Sequence, residues 1–215
     1  MSKVICIAGE SGSGKTTSMR NLDPASTFYF DCDKKGLSWK GWKNQYSSAK
    51  KNYKAVSDAG FIETVLKGIS EKSPQIRVAV IDTLNGIMID DEFARAKEKG
   101  YDKWQDLAAS VWSLVNSAYS LRDDLTILFT AHTQTERDDS GYAFTRIKTS
   151  GKKLDKIVLE SKFTTVLIAK CVAGEYLFET HANNSTAKTP MGLFEADTIP
   201  NDIAEVIRAL DEYEK

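Results

Sequence analysis

The sequence predicts an α/β fold: a mainly parallel sheet flanked by helices, with an antiparallel strand extension toward the C-terminus. Apolar, β-branched runs alternate with helical or polar segments from residue 3 to residue 133, and such alternation is typical of a parallel sheet covered by helices. Two strand-like runs then follow within residues 161–181, joined near Ala173 and Gly174, which indicates an antiparallel pair. The length of 215 residues, with 41% apolar and 27% charged residues, fits one domain over residues 1–215.

Four apolar runs predict the central strands of this sheet. Each run is rich in β-branched or aromatic residues and is bounded by glycine or polar residues, so we expect both of its faces to be buried. The runs are residues 3–9, 26–33, 76–84 and 125–133.

Helical segments are expected between and after these strands. Apolar side chains recur at helical spacing in residues 60–69, and Pro24 and Pro74 end the first two helices, because a residue that precedes proline resists the helical conformation. The predicted helices are residues 16–21, 60–69, 87–121 in two pieces separated near Gly100, and 201–215 with Asn201 as the N-terminal cap.

Composition excludes several classes of protein. A net charge of −1 argues against a uniformly basic coat for nucleic acid. No apolar stretch approaches the roughly 20 residues that span a bilayer, so we expect no membrane partner. The three cysteines, Cys6, Cys32 and Cys171, form no CxxC pair and are expected to be buried, reduced thiols, which fits a cytoplasmic location.

A glycine-rich stretch, GESGSGKTT, follows the first predicted strand directly at residues 9–17. It matches the phosphate-loop pattern G-x-x-x-x-G-K-[ST], with a strand before it and a predicted helix after it, as the pattern requires. Its glycines let backbone N–H groups converge on phosphate oxygens, and the N-terminus of the helix adds positive potential. The stretch predicts a nucleotide site formed by Gly9, Glu10, Ser11, Gly12, Ser13, Gly14, Lys15, Thr16 and Thr17.

Three of the predicted site residues have specific roles in this interpretation. Lys15 is expected to bridge the β- and γ-phosphates of the nucleotide, and the Thr16 hydroxyl to coordinate Mg²⁺. Asp82 ends the apolar run VAVID, where an acid would hold Mg²⁺ directly or through water.

Hydrolysis also needs a group that orients or deprotonates water. Asp31 and Asp33 end the second strand and point the same way, so either is a candidate; the alternative is a pair of solvated acids. His132 follows the fourth strand, where ligands of open α/β sheets lie. It is expected to contact the γ-phosphate or to transmit its presence, with Gln134 as a second candidate; the alternative is a histidine held by backbone hydrogen bonds.

The order of GESGSGKTT, FYFDCD, VAVIDTLNG and ILFTAHT, followed by a polar hairpin and antiparallel strands, resembles the RecA-like ATPase core. With the tail NNSTAKTPMGLF…IPNDIAEVI, the chain is most similar to compact, phage-encoded RecA-like ATPases linked to single-strand annealing and recombination. The resemblance covers roughly residues 3–210 and implies a RecA-like P-loop NTPase core. It also implies ATP and Mg²⁺ as cofactors, single-stranded DNA as a partner, and the host cytoplasm as the location.

The sequence departs from that family at two points. The acid after strand two is usually glutamate, and the matching position here is Asp33, whose shorter side chain puts fast hydrolysis in doubt. RecA-like recombinases usually carry an N-terminal segment that links neighbours in a filament, whereas this sequence begins at the first strand. Ring, filament and monomer therefore stay open.

The resemblance also implies a site near a subunit interface of a homo-oligomer. A basic residue of the neighbour then completes the site and stabilises charge on the phosphoryl group. Candidates by position are Arg146, Lys152, Lys153 and Lys188, each with a solvated surface position as the alternative.

Residues 34–57 form a basic, aromatic insertion without a single acid. Lysines with interleaved rings suit non-specific binding of single strands, where bases stack on the rings. The alternative is a connecting segment whose rings fill the core while the lysines stay in water. The residues concerned are Lys34, Lys35, Lys40, Lys43, Lys50, Lys51 and Lys54, with Trp39, Trp42, Tyr46 and Tyr53.

A polar hairpin or mobile loop is expected at residues 134–150, with the turn signal DDSG at its middle. In RecA-like proteins the loops after the fourth strand contact DNA, which makes Arg137, Arg146 and Lys148 candidates. The acids Asp138 and Asp139 at the tip would oppose that contact.

Three functions follow from these observations. The first is a RecA-like ATPase that binds and hydrolyses ATP and acts on single-stranded DNA in phage recombination or annealing. The second is a small P-loop kinase, although the arginine-rich lid of such kinases is not evident. The third is a nucleotide-gated scaffold with negligible turnover. The sequence does not choose among DNA, RNA and protein as the partner.

Overall fold

The computed structural model describes residues 1–98, 100, 102–137, 139–149 and 158–215. Within these residues, nine strands form one sheet in the order β3-β2-β4-β5-β1-β7-β8-β9, with β6 paired to β5. The strands are β1 Lys3–Gly9, β2 Thr27–Asp31, β3 Tyr53–Ala55, β4 Val78–Asp82, β5 Thr126–Arg137, β6 Ala143–Ile147, β7 Thr165–Val172, β8 Glu175–Glu179 and β9 Thr198–Pro200.

Helices cover both faces of the sheet. Apolar residues of α2, α3 and α4 pack into one core cluster, and those of α5 pack into a second cluster across the sheet. None of the helices in the described ranges is long and apolar enough to cross a membrane. The helices are α1 Trp42–Gln45, α2 Ala59–Lys72, α3 Leu84–Ala94, α4 Asp102–Ala118 and α5 Ile203–Tyr213, with 3-10 turns at Thr17–Met19 and Leu159–Lys162.

The parallel strands β3, β2, β4, β5, β1 and β7 form the centre of the sheet, and β8 and β9 continue it antiparallel. This arrangement confirms the predicted α/β fold class. The register pairs Gly9 with His132 and Asp31 with Asp82. Ligands of open α/β sheets lie outside the carboxyl ends of the strands, and the predicted site residues follow those ends at one edge.

The predicted length of the helix after the phosphate loop, residues 16–21, is wrong. Only a 3-10 turn, Thr17–Met19, forms at this position. Threonine and serine are weak helix formers, and Pro24 leaves room for little more than one turn before β2. The turn is therefore too short to contribute the dipole of a full helix to the loop.

Two further predictions are corrected by the structure. Asp202, not Asn201, caps α5, because its carboxylate accepts a hydrogen bond from the Ala204 N–H at 3.1 Å. Cys6 and Cys32 are buried as expected, but Cys171 is exposed. The last residues of β7 extend beyond its pairing with β1, which ends at Ile168, so Cys171 reaches solvent.

The predicted hairpin at residues 134–150 is present as the antiparallel pair of β5 and β6, in which Thr133 faces Ile147 and Arg137 faces Ala143. β5 therefore runs four residues further than the apolar pattern indicated. The helical region predicted at 87–121 forms two helices, α3 and α4, as expected.

Gly86 in the first turn of α3 allows this helix to pack against the end of β2. A Cβ atom added there would lie 2.7 Å from the Cys32 carbonyl oxygen and 2.6 Å from Asp33 Oδ1. We expect Gly86→Ala to lower the free energy of unfolding by about 1–3 kcal/mol, because the crowded backbone would have to shift. The measurement is urea unfolding.

Gly68 in α2 provides the matched control. A Cβ atom added there has no neighbour within 4 Å, so Gly68→Ala should raise the free energy of unfolding by about 0.5–1 kcal/mol, the usual preference for alanine within a helix. Equal effects of the two substitutions would contradict the close packing at Gly86.

Candidate functional site

The glycine-rich loop encloses one side of a pocket of about 320 Å³ at the carboxyl edge of the sheet. Gly12 and Gly14 have φ angles of 81° and 95°, which is the left-handed region that favours glycine. The pocket is lined by Ser11, Gly12, Gly14, Lys15, Thr16, Thr17, Lys35, Ser38, Thr83, His132 and Tyr176. Gly9, Glu10 and Ser13, which were also predicted, lie on the opposite side of the loop and line a separate hollow next to β7.

Lys15 is buried at the base of the loop, with 6% of its surface exposed. Its Nζ donates hydrogen bonds to the Gly9 and Glu10 carbonyl oxygens, both at 2.8 Å. Burial lowers the pKa of Lys15 to about 8, against the opposing charge of Asp82, and the nearby charge of Lys35 adds to the decrease. The side chain is therefore a cation held beside the loop backbone.

Asp82 lies at the end of β4 and is buried among hydroxyl groups. Its Oδ2 accepts hydrogen bonds from Thr16 Oγ1 at 2.8 Å and from the Tyr29 hydroxyl at 2.6 Å. Its Oδ1 accepts one from Thr130 Oγ1 at 2.5 Å. Burial and then the charge of Asp82 raise the pKa of Tyr29, which keeps this hydroxyl a donor.

The predicted Mg²⁺ ligands Thr16 and Asp82 are thus adjacent. Mg²⁺ prefers oxygen donors and usually takes only one or two of them from the protein, the rest being water and substrate phosphate. A hydroxyl and a carboxylate at the mouth of a phosphate loop fit that pattern. In the ranges described by the structure, no cluster of three His, Cys, Asp or Glu side chains could hold a metal on its own.

The structure separates the two acids at the end of β2, where Asp31 is the last residue of the strand and Asp33 lies two residues beyond it. Asp31 is buried, and its Oδ2 accepts hydrogen bonds from the Gly36 N–H at 2.7 Å and the Tyr53 hydroxyl at 2.6 Å. Asp33 instead accepts from Lys35 Nζ at 2.5 Å and from Thr83 Oγ1 at 3.1 Å. Because Lys35 and Thr83 both line the pocket, Asp33 is the acid beside it, whereas Asp31 fixes the turn that follows.

His132 connects the loop with the β5–β6 hairpin. Its Nδ1 lies 3.5 Å from Lys15 Nζ, and its backbone N–H donates to Asn85 Oδ1 at 2.7 Å. The Asn85 amide donates in turn to the Lys148 carbonyl oxygen at 2.9 Å, and the Lys148 N–H donates to the His132 carbonyl oxygen at 2.7 Å. Gln134, the second candidate, donates to Glu136 within the hairpin and is absent from the pocket lining.

The candidates for completing a neighbour's site have different outcomes. Arg146 is only 8% exposed and forms an ion pair with Glu136 at 3.4 Å, so the solvated position considered for it is wrong. Lys188 exchanges backbone hydrogen bonds with Val166 at the sheet. Lys152 and Lys153 lie outside the described residues.

The rings of the basic segment pack inward, as the second interpretation of residues 34–57 holds. Tyr46 is buried, with its ring 5.6 Å from that of Tyr29 and 6.1 Å from that of Trp39 between centroids. Trp42 packs on Tyr53 at 5.5 Å. The lysines of this segment, Lys34, Lys35, Lys40, Lys43, Lys50, Lys51 and Lys54, are all exposed.

Several residues of the site were missed from sequence. Thr130 and Tyr29 each lie two positions before a residue that was singled out, His132 and Asp31, so strand periodicity could have indicated them. Asn85 directly follows the predicted strand of Asp82. Tyr176 carries no local signal, because it reaches the pocket only through the antiparallel extension.

Comparison with known proteins relates the chain to a family. A family model described as an AAA domain matches residues 1–191. A search of curated proteins found no match.

His132 provides a test of the charge distribution in the pocket. Burial, followed by the charge of Lys15, lowers the pKa of His132 below its ordinary value of 6.5. We expect its imidazole NMR resonance to titrate with a midpoint below pH 6.5, so that the ring is neutral at pH 7. His132→Gln assigns the resonance by removing it, and a midpoint above 6.5 would contradict the arrangement.

Proposed function

The chain belongs to the AAA domain family, a family of P-loop ATPase domains, and we propose that it is a RecA-like, Mg²⁺-dependent ATPase that acts on single-stranded DNA. The observation that carries the proposal is the convergence of Lys15, Thr16 and Asp82 beside a loop whose glycines expose its backbone. Such a convergence suits a nucleoside triphosphate.

Binding is assigned to the loop and its lysine. The backbone N–H groups of the loop and Lys15 Nζ bind the β- and γ-phosphate oxygens and stabilise the charge that develops there. Thr16 and Asp82 would hold Mg²⁺, which neutralises phosphate charge when it is bound. The three hydroxyl donors of Asp82 satisfy its buried carboxylate and direct it toward Thr16.

Asp33 is assigned to the attacking water. Its carboxylate accepts a hydrogen bond from the water and so orients it toward the γ-phosphorus; the water then replaces ADP on phosphorus and its proton leaves toward Asp33. Aspartate is one methylene shorter than the usual glutamate, so the water must lie closer to the end of β2. Thr83 supports this position by donating to Asp33 Oδ1 at 3.1 Å.

His132 is assigned to communication between the pocket and the hairpin. His132 Nδ1 lies 3.5 Å from Lys15 Nζ. The His132 backbone in β5 is hydrogen-bonded to Asn85, and Asn85 is hydrogen-bonded to Lys148 directly after β6, so these contacts join both strands of the hairpin. If Lys15 moves when it binds phosphate, the movement would therefore displace His132 first and β6 next.

Single-stranded DNA is proposed as the partner because exposed lysines of residues 34–57 form a local positive surface on a chain of net charge −1. Since the rings pack inward, this surface would bind the phosphate backbone and not stack on bases. The resemblance to phage-encoded annealing and recombination ATPases supports a role in phage recombination or annealing.

The first test is phosphate release from Mg-ATP with wild type and with the Lys15→Ala and Lys67→Ala variants. Lys15→Ala should reduce the rate by about 10²–10³-fold, because one stabilising cation is lost from the transferred phosphoryl group. Lys67, an exposed lysine of α2 paired with Glu63, should be replaceable without effect. Transfer of phosphate to an acceptor molecule, in place of release, would favour a kinase.

Asp33→Asn separates an ATPase from a nucleotide-gated scaffold. The variant should still bind ATP but release phosphate about 10²–10⁴-fold more slowly, the usual contribution of a positioned general base. Unchanged phosphate release in this variant would remove Asp33 from the mechanism and favour the nucleotide-gated scaffold.

The second test concerns DNA. For wild type, binding of a single-stranded oligonucleotide should weaken with salt, because each phosphate contact releases counterions. The double variant Lys40→Gln and Lys51→Gln should reduce the slope of log K against log salt by roughly 1.4, or about 0.7 per lost contact. The control pair, Lys67→Gln and Lys72→Gln in α2, should leave the slope unchanged; equal effects of the two pairs would contradict a DNA surface at residues 34–57.

A further inference from the structure

Lys35 is a second cation of the pocket. Its side chain lines the pocket together with Lys15, Thr83 and His132, and its Nζ forms an ion pair with Asp33 Oδ2 at 2.5 Å. It thus contacts the acid assigned to the attacking water. The lysine side chain is 59% exposed and the aspartate side chain 17%, so Lys35 reaches Asp33 from the solvent side.

The backbone around Lys35 fixes its direction. Lys34 has a φ angle of 57°, a left-handed conformation that is uncommon for a residue with a side chain, and its Nζ is held by Asp90 at 2.5 Å. On the other side, the Gly36 N–H is held by Asp31 at 2.7 Å. The turn between these two anchors directs Lys35 back toward the strand end that carries Asp33.

The positive charge of the pocket favours binding of a polyanion. Burial lowers the pKa of Lys35, but its hydrogen bond and charge interaction with Asp33 raise the pKa above its ordinary value, so the side chain stays protonated. Two ammonium groups, those of Lys15 and Lys35, therefore share one pocket. A terminal phosphate near them carries more charge than the Asp33 carboxylate alone and offers three oxygen acceptors.

We propose that Lys35 binds the γ-phosphate of ATP from within the same chain, and that it does so by exchanging its ion pair with Asp33 for one with the phosphate. The proposal rests on the ATPase function proposed above. While Lys35 is paired with Asp33, the carboxylate oxygen is engaged by a cation. When Lys35 moves to the phosphate, Asp33 Oδ2 becomes available to accept a hydrogen bond from water.

The exchange links the availability of Asp33 to the identity of the nucleotide. ADP lacks the terminal phosphate, so Lys35 remains on Asp33 when ADP is bound. The flexible four-carbon stem of lysine allows the movement without a change of backbone, and an ion pair this exposed is weak enough to be replaced. Lys34, its neighbour, is directed to Asp90 and is absent from the pocket lining.

The test is equilibrium binding of Mg²⁺ with ADP and with the non-hydrolysable analogue of ATP that carries a β,γ-imido bridge, measured by calorimetry. Lys35→Gln should weaken binding of the analogue by about 10–100-fold, the value of a hydrogen bond to a charged group, and change ADP binding less than twofold. Lys35→Arg should restore most of the loss. Lys67→Gln, at an exposed lysine of α2 outside the pocket, is the control and should bind both nucleotides as wild type does.

Asp33→Asn tests the exchange itself. Because Lys35 no longer has to leave a carboxylate, the analogue should bind more tightly to Asp33→Asn than to wild type, and this gain should vanish when Lys35→Gln is added. An unchanged or weaker affinity of Asp33→Asn for the analogue would overturn the exchange.

The outcomes separate this inference from the proposed function. If wild type binds neither nucleotide, both are overturned. If wild type binds both nucleotides and Lys35→Gln weakens them equally or not at all, the role of Lys35 is overturned while the nucleotide site stands. Thermal unfolding of each variant identifies any loss of binding that comes from loss of the fold.

Discussion

The carboxylate of Asp82 joins the phosphate loop to the centre of the sheet. It accepts hydrogen bonds from Thr16 of the loop, Tyr29 of β2 and Thr130 of β5. A buried carboxylate needs such donors, because an uncompensated charge away from water is costly. The strand order β2-β4-β5 places the two hydroxyl-bearing strands on either side of Asp82, so the geometry of the site follows from the topology of the sheet.

The antiparallel extension supports the loop from its other side. Gly14 packs against Tyr176 and Asn201, and a Cβ atom at Gly14 would lie 2.7 Å from the tyrosine ring. Arg20, just after the 3-10 turn, donates to the Asn201 carbonyl oxygen at 2.7 Å. Only one short turn follows the phosphate loop, so these contacts hold the loop in place of a full helix. The extension is therefore part of the site as well as of the fold.

Local sequence patterns predicted the central strands and the phosphate loop. The side-chain contacts that were not predicted depend on residues far apart in the sequence. The four central strands and the phosphate loop were evident because a buried strand and a glycine-rich turn have local signatures. The sequence did not distinguish Asp31 from Asp33, because both end the same predicted strand and point the same way. Only the turn at residues 34–36 directs Asp31 to Tyr53. The packing of Trp39 and Tyr46 on Tyr29 also depends on tertiary contacts, which composition does not encode. Asn85 follows a predicted strand and Lys35 lies in the predicted basic segment, but the partners of these two side chains are distant in sequence or set by a turn.

The pocket and the basic segment share a boundary, and this sets how they can influence each other. Lys35 lines the pocket, and Thr17 is hydrogen-bonded to Ser38 at 2.9 Å, so the segment begins where the nucleotide is proposed to lie. Two polyanions bound side by side repel each other, although salt screens that repulsion beyond roughly 8 Å. If the segment binds DNA as proposed, any mutual strengthening of nucleotide and DNA binding must therefore come from the contacts at Lys35 and Ser38, because a shared positive potential alone would make the two ligands compete. By linkage, whatever DNA does to nucleotide affinity through these contacts, the nucleotide must do equally to DNA affinity.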